Sequence, residues 1–248
     1  MASLLMFAVP TWATTNYVTN GTFAATTGFG QLNDNVTVTD WTNTDYSGAN
    51  VGYNFLFSPT DADDGTGVTG VDGAIQLWGP GSGSDDVNNG FTDSPVGGNF
   101  LAMDADYEVA AVTQAITPLT SGVSYTLSFY YAYAQQYTFT GPTTQQLTFS
   151  IGDIDGQTTQ MANPTEGFTG WFLETFTFKA DNSDIAANNP LLSLLAVGSP
   201  QVPPFVLVSD VSLMQTPEPG TLFLIGIGLL AVALPGRILR RRVRHQSF

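Results

Sequence analysis

The chain has 248 residues, no cysteine, one histidine and a formal net charge of −15, from 21 acidic and 6 basic side chains. These numbers exclude disulfides, thiolate metal centres and cysteine nucleophiles, and a single His245 near the end leaves no imidazole base for a folded pocket. The acidity argues against nucleic acid as a partner, while 43% hydrophobic residues suffice for a packed core.

The chain opens on an apolar run, Leu4-Leu5-Met6-Phe7-Ala8-Val9, followed by Thr11-Trp12-Ala13. That order predicts a partial signal peptide over 1–13, cut to give a mature start near Thr14. No Lys or Arg precedes the run, so its basic region is missing and an upstream start codon is expected.

Residues 14–215 predict one all-β domain, an antiparallel β-sandwich or jelly roll, with no helix. The clearest strand is 123–133, where Val123, Tyr125, Leu127, Phe129, Tyr131 and Tyr133 alternate with smaller or polar residues. This alternation sends Tyr131 and Tyr133 inward and Tyr130 outward. Further strands are expected at 36–41, 74–78, 99–103, 107–116, 145–151, 170–179, 191–197 and 205–213. Two Gly/Asp/Ser-rich stretches, 58–73 and 79–98, are long for structureless loops and point to a functional or ion-binding role.

The tail has its own order. Pro217-Glu218-Pro219 precedes an unbroken apolar run of 13 residues, Leu222 to Leu234, and a cluster of five arginines closes it. As a helix the run spans about 20 Å against about 30 Å of hydrocarbon. Counting from Pro219 to Leu239 makes a short transmembrane helix, held by Arg237, Arg240, Arg241, Arg242 and Arg244 on the cytoplasmic side.

Two resemblances follow from these motifs. The Pro-Glu-Pro triplet, apolar helix and arginine cluster resemble the PEP-CTERM sorting signal of exported bacterial proteins. The resemblance implies an exosortase as partner, transient anchoring in the inner membrane, cutting near Pro217, Glu218 and Pro219, and release of the body to the cell surface or medium. Residues 216–248 form this signal.

The second resemblance covers the body. Tyr17-Val18-Thr19-Asn20-Gly21-Thr22-Phe23 with the later Trp41, the stretch Val112 to Ile116 with Leu119 to Leu127, and the closing Leu207 to Leu213 are similar to galactose-binding-like and carbohydrate-binding-module sandwiches. It implies a structural Ca²⁺ between the first and last strands, held here by Asp210 and oxygens around Asn20. Ala24 stands where that family places an acidic residue, which removes one ligand. No other cofactor is expected.

The acidic motifs Asp61-Ala62-Asp63-Asp64-Gly65, Asp104-Ala105-Asp106-Tyr107-Glu108 and Asp153-Ile154-Asp155-Gly156 read as solvated turns. No catalytic motif accompanies them, so no enzyme is expected. Trp41, Trp78 and Tyr130 are the candidates for stacking on sugar rings, against the default of core packing. The functional expectation is a non-catalytic surface or extracellular-matrix protein associated with biofilm polysaccharide. The alternative is a carbohydrate-binding module with a specific glycan site, recognisable by exposed aromatics beside convergent polar groups.

Overall fold

Alternating apolar and polar residues build the strands, and the alternation decides which face each one buries. The computed structural model describes residues 15–34, 36–44, 52–59, 67–81, 87–181 and 189–216. The chain divides into two units, Met1–Thr216 and Pro217–Phe248. The second unit, with the sorting triplet, the expected membrane helix and the five arginines, lies outside the described residues, as do the expected signal peptide and the Asp61–Gly65 motif. Among the described residues no helix is long and apolar enough to cross a membrane.

Among the described residues fourteen strands run in chain order: β1 (Gly30–Gln31), β2 (Thr42–Asn43), β3 (Asn54–Phe57), β4 (Val68–Gly70), β5 (Gly73–Ile75), β6 (Phe100–Asp104), β7 (Val112–Ala115), β8 (Ser124–Gln135), β9 (Thr143–Ile151), β10 (Ile154–Gln157), β11 (Met161–Asn163), β12 (Phe172–Lys179), β13 (Leu191–Ser199) and β14 (Pro204–Gln215). One sheet orders β1-β3-β6-β14-β8-β12 and the other β10-β9-β13-β7-β2, with β11 also on β9; β4 and β5 form a small hairpin. From β6 to β9 and again from β12 to β14 the chain crosses between the sheets at each connection, which gives a jelly-roll sandwich of antiparallel strands.

The inner face of β8 carries Tyr125, Leu127, Phe129, Tyr131 and Tyr133, all buried, as the period-two pattern predicts. Across the sandwich Phe129 meets Phe149 of β9 edge to face, with ring centroids 5.4 Å apart. Tyr133 is also fully buried, and its hydroxyl donates to the Thr159 carbonyl at 2.7 Å and lies 2.8 Å from Thr158 Oγ1. A buried phenol keeps its place because both ends are satisfied.

The outer face of the β8 sheet departs from simple alternation. Ala132 and Ala134 are buried as well, within a second apolar cluster that includes Phe55, Phe57, Phe100, Phe205 and Leu207. Phe57 stacks on Phe100 at 5.4 Å, and Phe91 and Trp171 set their edges against Phe100. The described parts of the two Gly/Asp/Ser-rich stretches supply Val68 and Phe91 to this cluster, and the segment between them supplies Ile75 and Leu77. Together they form a roof over part of the sheet.

Candidate functional site

The ends of four neighbouring strands, β3, β6, β14 and β8, meet at one end of the roofed sheet. Their register places Asn54 beside Met103, Asp104 beside Phe205, and Pro204 beside Gln135. Connections leaving these ends, with the β4–β5 turn, enclose a cleft of about 400 Å³ lined by Tyr53, Asp72, Tyr107, Gln136, Phe139, Gln201 and Pro203. Loops held by a rigid scaffold are where binding groups concentrate.

Each wall is fixed by backbone pairing. Tyr53 N–H donates to Glu108 O at 2.9 Å, and Asp104 N–H returns to Tyr53 O at 3.1 Å. Gln136 N–H donates to Pro203 O, and Tyr137 N–H to Gln76 O. Tyr107 is 50% exposed and Phe139 43% exposed, so both aromatic side chains offer surface at the cleft. Tyr107 and buried Tyr53 meet edge to face, with centroids 5.7 Å apart. The Tyr53 hydroxyl donates to Gln136 Oε1 at 3.3 Å. Burial pushes the Tyr53 phenol up to about 12, so it remains a neutral donor at all physiological pH values.

Asp104 stands behind this wall and is fully buried. Its Oδ1 accepts the N–H groups of Asp106 at 2.8 Å and Tyr107 at 2.6 Å, which fixes the turn that presents the Tyr107 ring. Its Oδ2 finds no partner among the described residues. Burial is the main cause that raises its carboxyl from the ordinary 3.8 to about 6, opposed by the two N–H donors. The motif read as a solvated acidic turn is therefore corrected at its first residue: pairing of β6 with β14 pulls Asp104 inside.

The sequence-predicted stacking residues take other places. Trp78 is 4% exposed and Trp41 7% exposed, so neither presents a face to a sugar. Trp78 donates its indole N–H to Phe139 O at 2.7 Å and sets its edge to Tyr137, which makes it the support of the Phe139 wall. Trp41 packs on Phe23 and donates to Asn20 O at 3.1 Å. Tyr130 is half-buried on the outer face of β8, opposite Leu173 of β12. It lies six residues from Gln136 along the strand, about 20 Å away. The three residues form no common site. Sequence reading placed Tyr107 at the start of an expected strand, 107–116, where the structure has a turn before β7, gave Phe139 no role beyond the aromatic cluster around 130–139, and did not single out Tyr53 or Gln201.

Asn20 and Asp210 do lie on one seam, between the first loop and β14. A bulge between Ser209 and Ser212 puts Asp210 at φ +53°, and Val211 N–H donates to Gly21 O at 2.9 Å. However, the oxygens expected at calcium accept protein N–H groups. The Asn20 carboxamide oxygen takes Ala25 N–H, Asn20 O takes Phe23 N–H, and Phe23 O takes the Asn99 amide. Calcium wants six to eight oxygens. Among the described residues no group of three acidic or histidine side chains converges to hold a metal, so the donor set does not fit the ion.

A second hollow, also about 400 Å³, lies on the outer face of the other sheet, lined by Thr148, Ser150, Asp155, Gln157, Ser193 and Leu195 above Phe149. It has hydroxyls but no exposed ring.

Comparison with known proteins agrees with this architecture. A cyclase from Fischerella sp. TAU, solved with 4-(1H-indol-3-yl)butan-2-one, is similar in fold at a TM-score of 0.50 and 14% identity, over 82% of this chain and 98% of that one. TmCBM61, solved with β-1,4-galactotriose, matches at 0.41 and 10% identity over 82% and 99%. A putative sugar binding protein from Bacteroides thetaiotaomicron VPI-5482 matches at 0.39 and 14% over 82% and 100%. No curated protein matches the sequence. Residues 215–242 match the PEP-CTERM protein-sorting motif, so this β-sandwich chain carries the C-terminal signal of an exported, exosortase-sorted protein.

Proposed function

We propose that the chain is a non-catalytic surface or extracellular-matrix protein that holds extracellular polysaccharide, such as that of a biofilm, in the cleft at the loop end of its sandwich. Residues 1–13 direct export, 14–215 form the binding body, and 216–248 anchor it transiently in the inner membrane until an exosortase cuts near Pro217, Glu218 and Pro219. The arginines at 237, 240, 241, 242 and 244 hold the tail on the cytoplasmic side meanwhile.

The observation that carries this reading is the pair of partly exposed rings, Tyr107 and Phe139, facing a phenol and two amides in one cleft. Aromatic faces take the apolar face of a sugar ring, and the Tyr53 hydroxyl, Gln136 and Gln201 offer donors and acceptors to its hydroxyls. Asp72 is the carboxylate lining the cleft. Glycoside hydrolysis needs two, which supports binding without cleavage.

Two measurements test the parts separately. Replacing Glu218 by Ala should leave the protein in the membrane fraction of an exosortase-bearing host; unchanged release contradicts recognition of the triplet. Glycan-array binding by the full chain tests the cleft, with loss in Tyr107→Ala as the expected result.

A further inference from the structure

The cleft also specifies the charge of what it holds. Lys179 is the one cation between Met1 and Gly236, against 21 carboxylates. It lies at the end of β12 beside Ser124, the first residue of β8, whereas Gln136 of the cleft follows the last residue of the same strand. Twelve residues of extended chain separate them, about 40 Å. At physiological salt a charge is screened over about 8 Å, so Lys179 does not act in the cleft.

The charges that do act there are negative. Asp72 lines the cleft and is exposed on the β4–β5 turn. Asp104 lies behind the Tyr53 and Tyr107 wall, and both Asp104 and Asp72 raise the Tyr53 phenol after burial has done so. Asp106 and Glu108 stand on the turn that carries Tyr107, close enough to push the Asp104 carboxyl upward. A uronate or sulfate entering this space would meet carboxylates with no cation among the described residues to pair it. A sugar ammonium would meet Asp72 and two partly exposed aromatic side chains, an arrangement that favours a cation by charge pairing and by the ring quadrupole.

We propose that the cleft selects an aminoglycan, a polysaccharide bearing free amino groups, over neutral and acidic chains. This rests on the reading of the cleft as a glycan site. The ammonium sits between the Tyr107 and Phe139 rings, beside the Asp72 carboxylate.

The test uses the full chain in a detergent without a sugar headgroup, titrated with β-1,4-linked hexamers of glucosamine, N-acetylglucosamine and galacturonate. The glucosamine hexamer should bind roughly tenfold more tightly than the acetylated one at low salt, with the advantage shrinking as salt is added. Asp72→Asn should remove up to roughly fivefold of that advantage, as expected for an exposed pair. The double variant Tyr107→Ala, Phe139→Ala should abolish glucosamine binding. Retained binding in that variant would mean general attraction to an acidic surface and would overturn the proposal. Equal binding of the glucosamine and acetylated hexamers, or binding of galacturonate, would overturn the charge selection while leaving the glycan site standing. Binding of none of the three would overturn both.

Discussion

The outer faces of the two sheets show how the same sandwich scaffold yields two kinds of surface. The β8 sheet is roofed in part by the β4–β5 hairpin and by the loop carrying Phe91, and the roof closes a second apolar cluster. Among the described residues no such cluster covers the β9 sheet, where Thr148, Ser150 and Ser193 line an outer hollow. Both faces carry a hollow of the same size, about 400 Å³. The cleft on the roofed side draws its lining from five different connections and sets partly exposed rings beside amides and a carboxylate; the hollow on the β9 sheet, built from strands, holds Asp155 and Gln157 among its hydroxyls but no exposed ring.

Breaking the roof should have the largest effect. Phe100 is fully buried between Phe57, Phe91 and Trp171. Phe100→Ala should lower stability by about 3–5 kcal/mol in denaturant titration, and glycan affinity should fall with it as the roof loosens. A matched change on the outer face of the β9 sheet, Ser193→Ala, should stay within about 0.5 kcal/mol and leave binding unchanged.

The buried acid comes next. Asp104 has its carboxyl raised from 3.8 to about 6, mainly by burial. The folded state therefore holds the proton more tightly than the unfolded chain does. This stabilises the fold fully below about pH 4 and is lost as pH rises through 6, a difference of about 3 kcal/mol. Urea midpoints should thus fall between pH 4 and pH 7. Asp104→Asn keeps an oxygen for the Asp106 and Tyr107 N–H groups, so it should flatten that fall. An unchanged pH profile in this variant would show that Asp104 is not the source.

The third effect separates binding from stability. Tyr107→Ala or Phe139→Ala removes a ring that is about half exposed. Each should weaken glycan binding by about 1–2 kcal/mol, roughly tenfold, with little change in Tm. Trp78→Phe is a subtler probe of the same wall. It keeps most of the packing and removes the N–H that holds Phe139 O. It should lower stability by about 1 kcal/mol and affinity by less than the loss of Phe139 itself.

These contrasts also explain what could be read in the sequence. The strands β9 and β13, and β8 as far as Tyr131, were legible because one face packs against the partner sheet and the other is partly exposed, so the period of two is visible; β14 is buried on both faces over Pro204 to Ser209. The roof was not. Ala132 and Ala134 are buried on the face that alternation assigns to solvent, since chain about 40 to 65 residues earlier, from Val68 to Phe91, joins them in the second apolar cluster. Trp41 and Trp78 stood at the ends of expected strands and were candidates for stacking, yet each is buried and donates its indole N–H to a loop carbonyl. Asp104 looked solvated because its neighbours are acidic, and it is buried because its strand pairs with Phe205. The cleft draws on residues from 53 to 203, and that convergence is a property of the topology that no local motif records.

The most direct test of the account is glycan-array binding by the full chain beside the Tyr107→Ala, Phe139→Ala double variant, with matched thermal melts. Binding by the parent, lost in a variant that melts at the same temperature, is the expected result. Equal binding by the two proteins, or none by the parent, would contradict the cleft as the working site of the exported body.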